Sequence, residues 1–259
     1  MNAVDLQEWP RPHYEAGGGQ PLLFYAVFGA KTTGLRLSRS RYRCEGIPTG
    51  LDVHAYEYES QPELLDDFRS GYLWDELQQD EPALAAAIAA QSRCVVLRGE
   101  LADATTLDYF RDTIGLVTCL LDNGGVAVYD PQSFKWWSAQ AWRRIVFDPG
   151  RPSPREHVVI LVSEDPEGSW FHTRGLRKYG RPDLSIRDVP PAHHEAVVDL
   201  FNRLIELQAL GGIVREGQEV RMRSLPSGMY CTHAGSEDDP DFNNVHVEVR
   251  WPSSQASSA

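Results

Sequence analysis

The chain has 259 residues, enough to bury one large core or two smaller ones. Its 42% hydrophobic, 24% charged and 10% aromatic residues are the mixture of a globular protein rather than a disordered or fibrous one. With 37 acidic against 25 basic side chains, the formal charge of −12 repels phosphate backbones and anionic lipid and attracts a basic partner, so neither nucleic acid nor membrane is expected as a partner.

Four widely spaced cysteines, Cys44, Cys94, Cys119 and Cys231, form no Cys-x-x-Cys pair and read as free thiols. Residues 1–20 contain Asp5, Glu8 and Glu15 without an apolar run, unlike a secretory signal, and no stretch approaches the ~18 apolar residues of a membrane span; a cytoplasmic protein is expected.

In chain order, residues 1–20, ending in Gly17-Gly18-Gly19, lack periodicity and predict an arm laid over the surface or left mobile. Pro21 to Gly29 predicts a buried strand. Gly34 to Cys44 and Leu51 to Ser60 alternate around a Gly46–Gly50 loop and predict a hairpin. Pro62 to Gln79 and Glu81 to Gln91 carry helix formers at helical apolar spacing. Arg93 to Leu101 predicts a strand, Asp103 the N-cap of a helix running to Gly124-Gly125, and Gly125 to Tyr129 a returning strand. Trp136, Trp137 and Trp142 mark a short helix, and Asp148 to Pro154 a linker, placing a boundary near 150 between halves 21–150 and 151–252.

Beyond it, strands are expected at His157 to Ser163 and Trp170 to Arg174, a helix at Pro191 to Leu210, strands at Glu219 to Arg223 and Val245 to Trp251, and a disordered tail at 253–259. The fold class is therefore α+β, with mixed or antiparallel sheets and packed helices. RCVVLRGEL beside HVVILVSED, and LLDNGGVAVY beside LQALGGIVRE, suggest two pseudo-repeated halves.

Several constellations could carry chemistry. Arg39, Arg41 and Arg43 would share one strand face, to clamp an anion or to pair with Glu57 and Glu59 across the hairpin. In WFHTRGLRKYGRPD, His172, Arg174, Arg177, Lys178 and Arg181 crowd around two glycines, as an anion site would need or as a loop fixed to acidic residues would. Glu237, Asp238, Asp239 and Asp241 supply oxygens for a hard cation but lack the order of a calcium loop, and read as a solvated turn; no metal or cofactor is expected. Cys231 with His233, His172 or His246 raises a thiol–imidazole pair, against which a small buried cysteine is the commoner outcome. His193-His194-Glu195 lacks the spacing of a zinc helix, and phosphate-loop and serine-elbow patterns are absent.

The segments HTRGLRKYGRPDLSI (172–186) and DDPDFNNVHVEVRW (238–251) resemble those of a group of uncharacterised bacterial proteins; the resemblance covers roughly 160–251 and implies bacterial origin without an activity. Two functional expectations follow. The first is a cytoplasmic protein-binding module with no catalytic role, engaging a basic protein as an immunity-type inhibitor of a toxin would, with Trp136, Trp137 and Tyr179 as interface anchors. The alternative is an enzyme or small-anion binder using His172, Arg174, Arg177 and Arg181, with His233 and His246 brought beside them.

Overall fold

The computed structural model describes residues 6–44 and 46–252; the tail expected at 253–259 lies outside them. The fold is α+β, and the chain divides into two compact units. One holds the described residues of Met1–Pro10 with Pro21–Glu156, the other Arg11–Gln20 with those of His157–Ala259. No helix among the described residues is long and apolar enough to cross a membrane.

The first unit is built on an antiparallel sheet ordered β2-β3-β1-β4-β5, from β1 (Leu22–Phe28), β2 (Asp52–Glu57), β3 (Arg93–Glu100), β4 (Ala127–Asp130) and β5 (Lys135–Ser138). β1 is buried on both faces, which is why it reads as an unbroken apolar run rather than an alternation. Ala26 and Phe28 pack with Leu65, Trp74, Leu77, Leu84 and Ile88 from α2 (Pro62–Phe68), α3 (Tyr72–Asp80) and α4 (Pro82–Ala89). Tyr25, on the opposite parity, meets the Trp142 ring edge-on at 5.7 Å, and the Trp142 indole N–H donates to Thr118 of α5 (Asp108–Asp122) at 3.1 Å.

Four local expectations are corrected here. Residues 39–42 form a helical turn, α1 (Arg39–Tyr42), and β2 pairs with β3 instead of with the arginine segment. The turn is fixed by the Ser38 hydroxyl accepting from Arg41 N–H and by Arg43 in the left-handed region (φ 54°), so the arginine stripe does not exist. Of the two helices expected after Pro62, the first breaks in two where Gly71 (φ 76°) restarts the chain, while the second begins at Pro82 as expected. α5 begins at Asp108, not after Asp103: its first carboxylate accepts from the Trp9 backbone N–H at 2.8 Å, an N-terminal partner that local sequence could not supply. The tryptophan segment gives β5, then α6 (Ala139–Ala141) and a π-helical turn, Trp142–Phe147.

After α7 (Pro154–His157), the second unit holds a mixed sheet ordered β6-β7-β8-β11-β10-β9. Its strands are β6 (Val159–Asp165), β7 (Gly168–Arg174), β8 (Asp183–Val189), β9 (Glu219–Val220), β10 (Met229–Ala234) and β11 (His246–Arg250). Only β8 and β11 run parallel. α8 (His194–Ala209) buries Val197, Leu200, Phe201, Leu204 and Ile205. The two sheets differ in strand order and pairing, and residues 213–216, matched in sequence to a strand of the first unit, form none; the apparent repeat ends at a shared glycine-terminated helix. Residues 13–19 are tied down by backbone bonds: His13 N–H to Leu210, Glu15 N–H to Gly211 and Gly19 N–H to Gly180.

Candidate functional site

The sheet of the second unit has two unlike faces. His172 lies opposite Ser185, Ser185 beside Glu248, and Glu248 opposite Thr232, so a polar row crosses four strands. Alternation adds Trp170, Arg187 and His246 to this face. Trp170 and His172 stack at 4.1 Å, the Arg187 guanidinium lies 3.9 Å over the Trp170 ring, and the Trp170 indole N–H donates to Ser185 Oγ at 2.9 Å. The other face, with Phe171, Leu184, Cys231, Val247 and Val249, is fully buried, and Phe171 meets His194 of α8 at 5.1 Å.

The acidic segment between β10 and β11 folds back over the polar face. Phe242 stacks on His246 at 4.0 Å and approaches His172 at 5.5 Å. Asn243 takes φ 52°, a conformation asparagine accepts more readily than most residues. Arg174 Nη1 donates to the Asp241 carbonyl at 2.7 Å, while Arg177 reaches the Glu237 carboxylate at 2.9 Å and the Asn243 carbonyl at 2.9 Å. The basic segment and the acidic segment are thus joined to each other. Among the described residues no group of three or more His, Cys, Asp or Glu side chains is placed to hold a metal ion.

Beneath this lies a buried lattice. Asp183 accepts from the Thr173 hydroxyl (2.8 Å), the Leu176 N–H (3.2 Å) and the Asn244 amide (2.8 Å), yet burial outweighs these bonds and pushes its carboxyl up to about 6. Lys178 Nζ donates to the His157 carbonyl at 2.7 Å. The Arg181 guanidinium, 2% exposed, donates to the carbonyls of Gly180, Gly211, Gly212 and Glu15. Of the two readings of these guanidiniums, an anion clamp or a loop fixed in place, the bonds are those of the second: they go to protein oxygens, the role a planar five-donor cation fills well in an interior rich in carbonyls.

A cavity of about 360 Å³, one of those in this unit, opens beside Arg181. Its wall is mostly apolar, from Pro182, Ile213, Val214, Ala234 and Val245, closed by the backbone of Gly17-Gly18-Gly19. Arg181, His233 and His246 complete it, so three of the six residues singled out as ligand-binding converge there, while His172, Arg174 and Arg177 lie outside its lining. His233 Nε2 donates to the Val214 carbonyl at 2.8 Å, which fixes the proton on that nitrogen. His246 Nδ1 is buried and has no hydrogen-bond partner. Asp239 stands 4.0 Å from it and favours the imidazolium, but desolvation is the larger effect and holds the ring's pKa below the usual imidazole value. His172 Nδ1 is likewise buried without a partner, and burial drives that ring down to about 4.

One open question is closed and one expectation corrected. The Cys231 thiol is pushed up to about 11 by burial, and with His233 committed to Val214 no activated thiol–imidazole pair forms. Trp137 and Tyr179 are 5% and 1% exposed, core residues rather than interface anchors, because β5 pairing and the turn at 176–179 direct them inward. Trp136 is half-buried and stacks on Tyr129 at 4.2 Å. Sequence reasoning missed Ser185, Glu248 and Phe242; the alternation Asp183-Ser185-Arg187 was the available signal, but no strand was assigned there. Comparison with family models, with curated proteins and with solved structures finds no match to this chain.

Proposed function

We propose that the second unit is a small-molecule binding module whose cavity takes a mostly apolar ligand bearing one neutral hydrogen-bonding group, read by His246. The observation that carries this reading is the cavity itself, apolar along most of its wall and with the imidazoles of His233 and His246 in its lining. Such a wall buries an apolar ligand body, and an imidazole in it supplies the polar contact that orients the ligand. Desolvation keeps the imidazole neutral, so it suits a hydroxyl, amide or carbonyl better than an anion. The commitment of Arg174, Arg177 and Arg181 to protein oxygens supports the same choice.

The test is ligand-observed NMR of the full chain against small neutral alcohols, amides and lactones, with Val245→Trp as control. Val245 is exposed and lines the cavity, so a large ring there fills the space without disturbing the core. Binding of at least one compound to the wild type, lost in the variant, is expected. Binding that survives in Val245→Trp, or no binding by any compound of this class, overturns the reading.

A further inference from the structure

The first unit carries a separate cavity of about 400 Å³ on the helical side of its sheet. Five aromatic rings line it: Phe68 from α2, Tyr72 and Trp74 from α3, Tyr129 from β4 and Trp136 from β5. Their planes are not parallel. Trp136 stacks on Tyr129 at 4.2 Å, but Trp74 is inclined to Trp136 by 61° and Phe68 to Tyr129 by 73°, so the rings of the wall lie in different planes. Tyr72 stands at the mouth with 75% of its surface exposed, the most exposed large hydrophobic side chain among the described residues.

The charges around the cavity have one sign. Asp67 lines it, and no lysine, arginine or histidine does. The Tyr72 hydroxyl donates toward the Glu76 carboxylate at 3.4 Å, which enriches its ring in electron density. Arg69, the nearest cation in sequence, is outside the lining and bonded elsewhere: its Nη2 donates to the carbonyls of Ile88 and Gln91, and its guanidinium lies 5.7 Å over the ring of Phe28. Aromatic faces carry negative potential, and a cage of them beside a carboxylate favours a weakly hydrated cation over either a neutral apolar group or an anion.

We propose that this cavity is an aromatic cage for an alkylated ammonium cation. Several rings give the onium methyl groups van der Waals contact, and the quadrupoles with Asp67 neutralise its charge without a hydrogen bond, which an ammonium without N–H cannot make. The chemistry is shared by a free quaternary ammonium compound and by a trimethylated lysine on another protein.

Isothermal titration of the full chain at fixed ionic strength, with choline, tetramethylammonium, 3,3-dimethylbutan-1-ol and a short trimethyl-lysine peptide, tests it. Choline or tetramethylammonium should saturate with a Kd of about 1 mM or tighter. The uncharged isostere of choline should bind about tenfold more weakly. Tyr72→Ala and Asp67→Asn, both at exposed positions, should each weaken the cation severalfold while the far-ultraviolet circular dichroism stays unchanged. A peptide bound about tenfold more tightly than choline assigns the cage to a modified protein; equal affinities assign it to the free compound. A neutral isostere that binds as well as the cation, affinity that ignores both substitutions, or no saturable binding overturns the proposal. The cage lies in the other unit from the histidine-lined cavity, so either reading can fail without the other.

Discussion

Asn244 uses one amide nitrogen twice, donating to the buried carboxylate of Asp183 at 2.8 Å and to the carbonyl of Arg181 at 2.9 Å. Its side chain therefore ties the end of the acidic segment to the start of β8, two stretches about sixty residues apart in sequence. Neither partner can reach water, so replacing Asn244 with leucine leaves a carboxylate oxygen and a carbonyl unsatisfied. Urea unfolding of Asn244→Leu should show a loss of roughly 2–4 kcal/mol. A loss no larger than that of an exposed control such as Asp238→Ala would mean that the junction does not hold the sheet.

Arg181 makes the complementary junction, gathering the glycine arm, the end of α8 and its own turn through four carbonyls. Lysine keeps the charge but has a single nitrogen without the planar fork, so Arg181→Lys should destabilise the protein by several kcal/mol. Gly18→Ala probes the same packing from the other side: a Cβ there would sit 1.7 Å from Arg181 Nη1 and 2.9 Å from the Gly180 carbonyl. Both variants should raise the amide exchange of Gly19 and of the turn at 176–179 above wild type. Unchanged exchange in both would show that the arm is not held by the guanidinium.

Elements whose identity depends on local periodicity were legible in the sequence. β1, β3, α5 and α8 declare themselves by apolar runs or by helical spacing ending in glycine pairs, and the α+β class follows from them. What was not legible depended on partners distant in the chain. Arg39–Tyr42 alternates like a strand but is held as a turn by Ser38 and by Arg41 reaching Asp122 at 2.8 Å. Asp183 begins a strand that looks too polar to be one, because its charge is absorbed by Thr173, Leu176 and Asn244. The candidate site was half legible: the crowding of His172, Arg174 and Arg181 marked the right region, but a count of cations could not reveal that most are bonded to carbonyls. Gly17-Gly18-Gly19 gave no sign that it walls the same cavity as His233 and His246.

All four cysteines are buried, and burial raises each thiol: Cys44 to about 12, Cys94 and Cys231 to about 11, and Cys119 upward by the same cause. The reactive thiolate is therefore scarce and screened from reagents at neutral pH. Treatment of the folded protein with iodoacetamide at pH 7.5 should leave the intact mass unchanged over an hour, whereas in denaturant four alkylations should appear. Rapid single labelling of the native protein, localised by peptide mapping, would identify a thiol that the fold does not protect.

Asp183 and His172 oppose one another in their response to pH. Asp183 is held as the neutral acid up to about 6 against an ordinary carboxylate near 3.9. The stability it contributes is fully present below about pH 4 and is lost as pH rises through about 6. His172 titrates at about 4 against an ordinary imidazole near 6.5, so its contribution is present above about 6.5 and is lost as pH falls through about 4. Burial is the main cause; Asp241 pulls the imidazole the other way, while Arg174, Arg187 and His246 add to the depression. Over pH 4–6.5 the two effects largely cancel in the wild type. His172→Phe, which keeps a ring between Trp170 and Phe242, removes one of them and leaves Asp183 intact. The difference in unfolding free energy between variant and wild type should therefore shift in favour of the variant as pH falls from 7 to 4.5, by a few kcal/mol at most. Parallel pH profiles for the two proteins would mean that His172 carries its proton as readily in the fold as out of it.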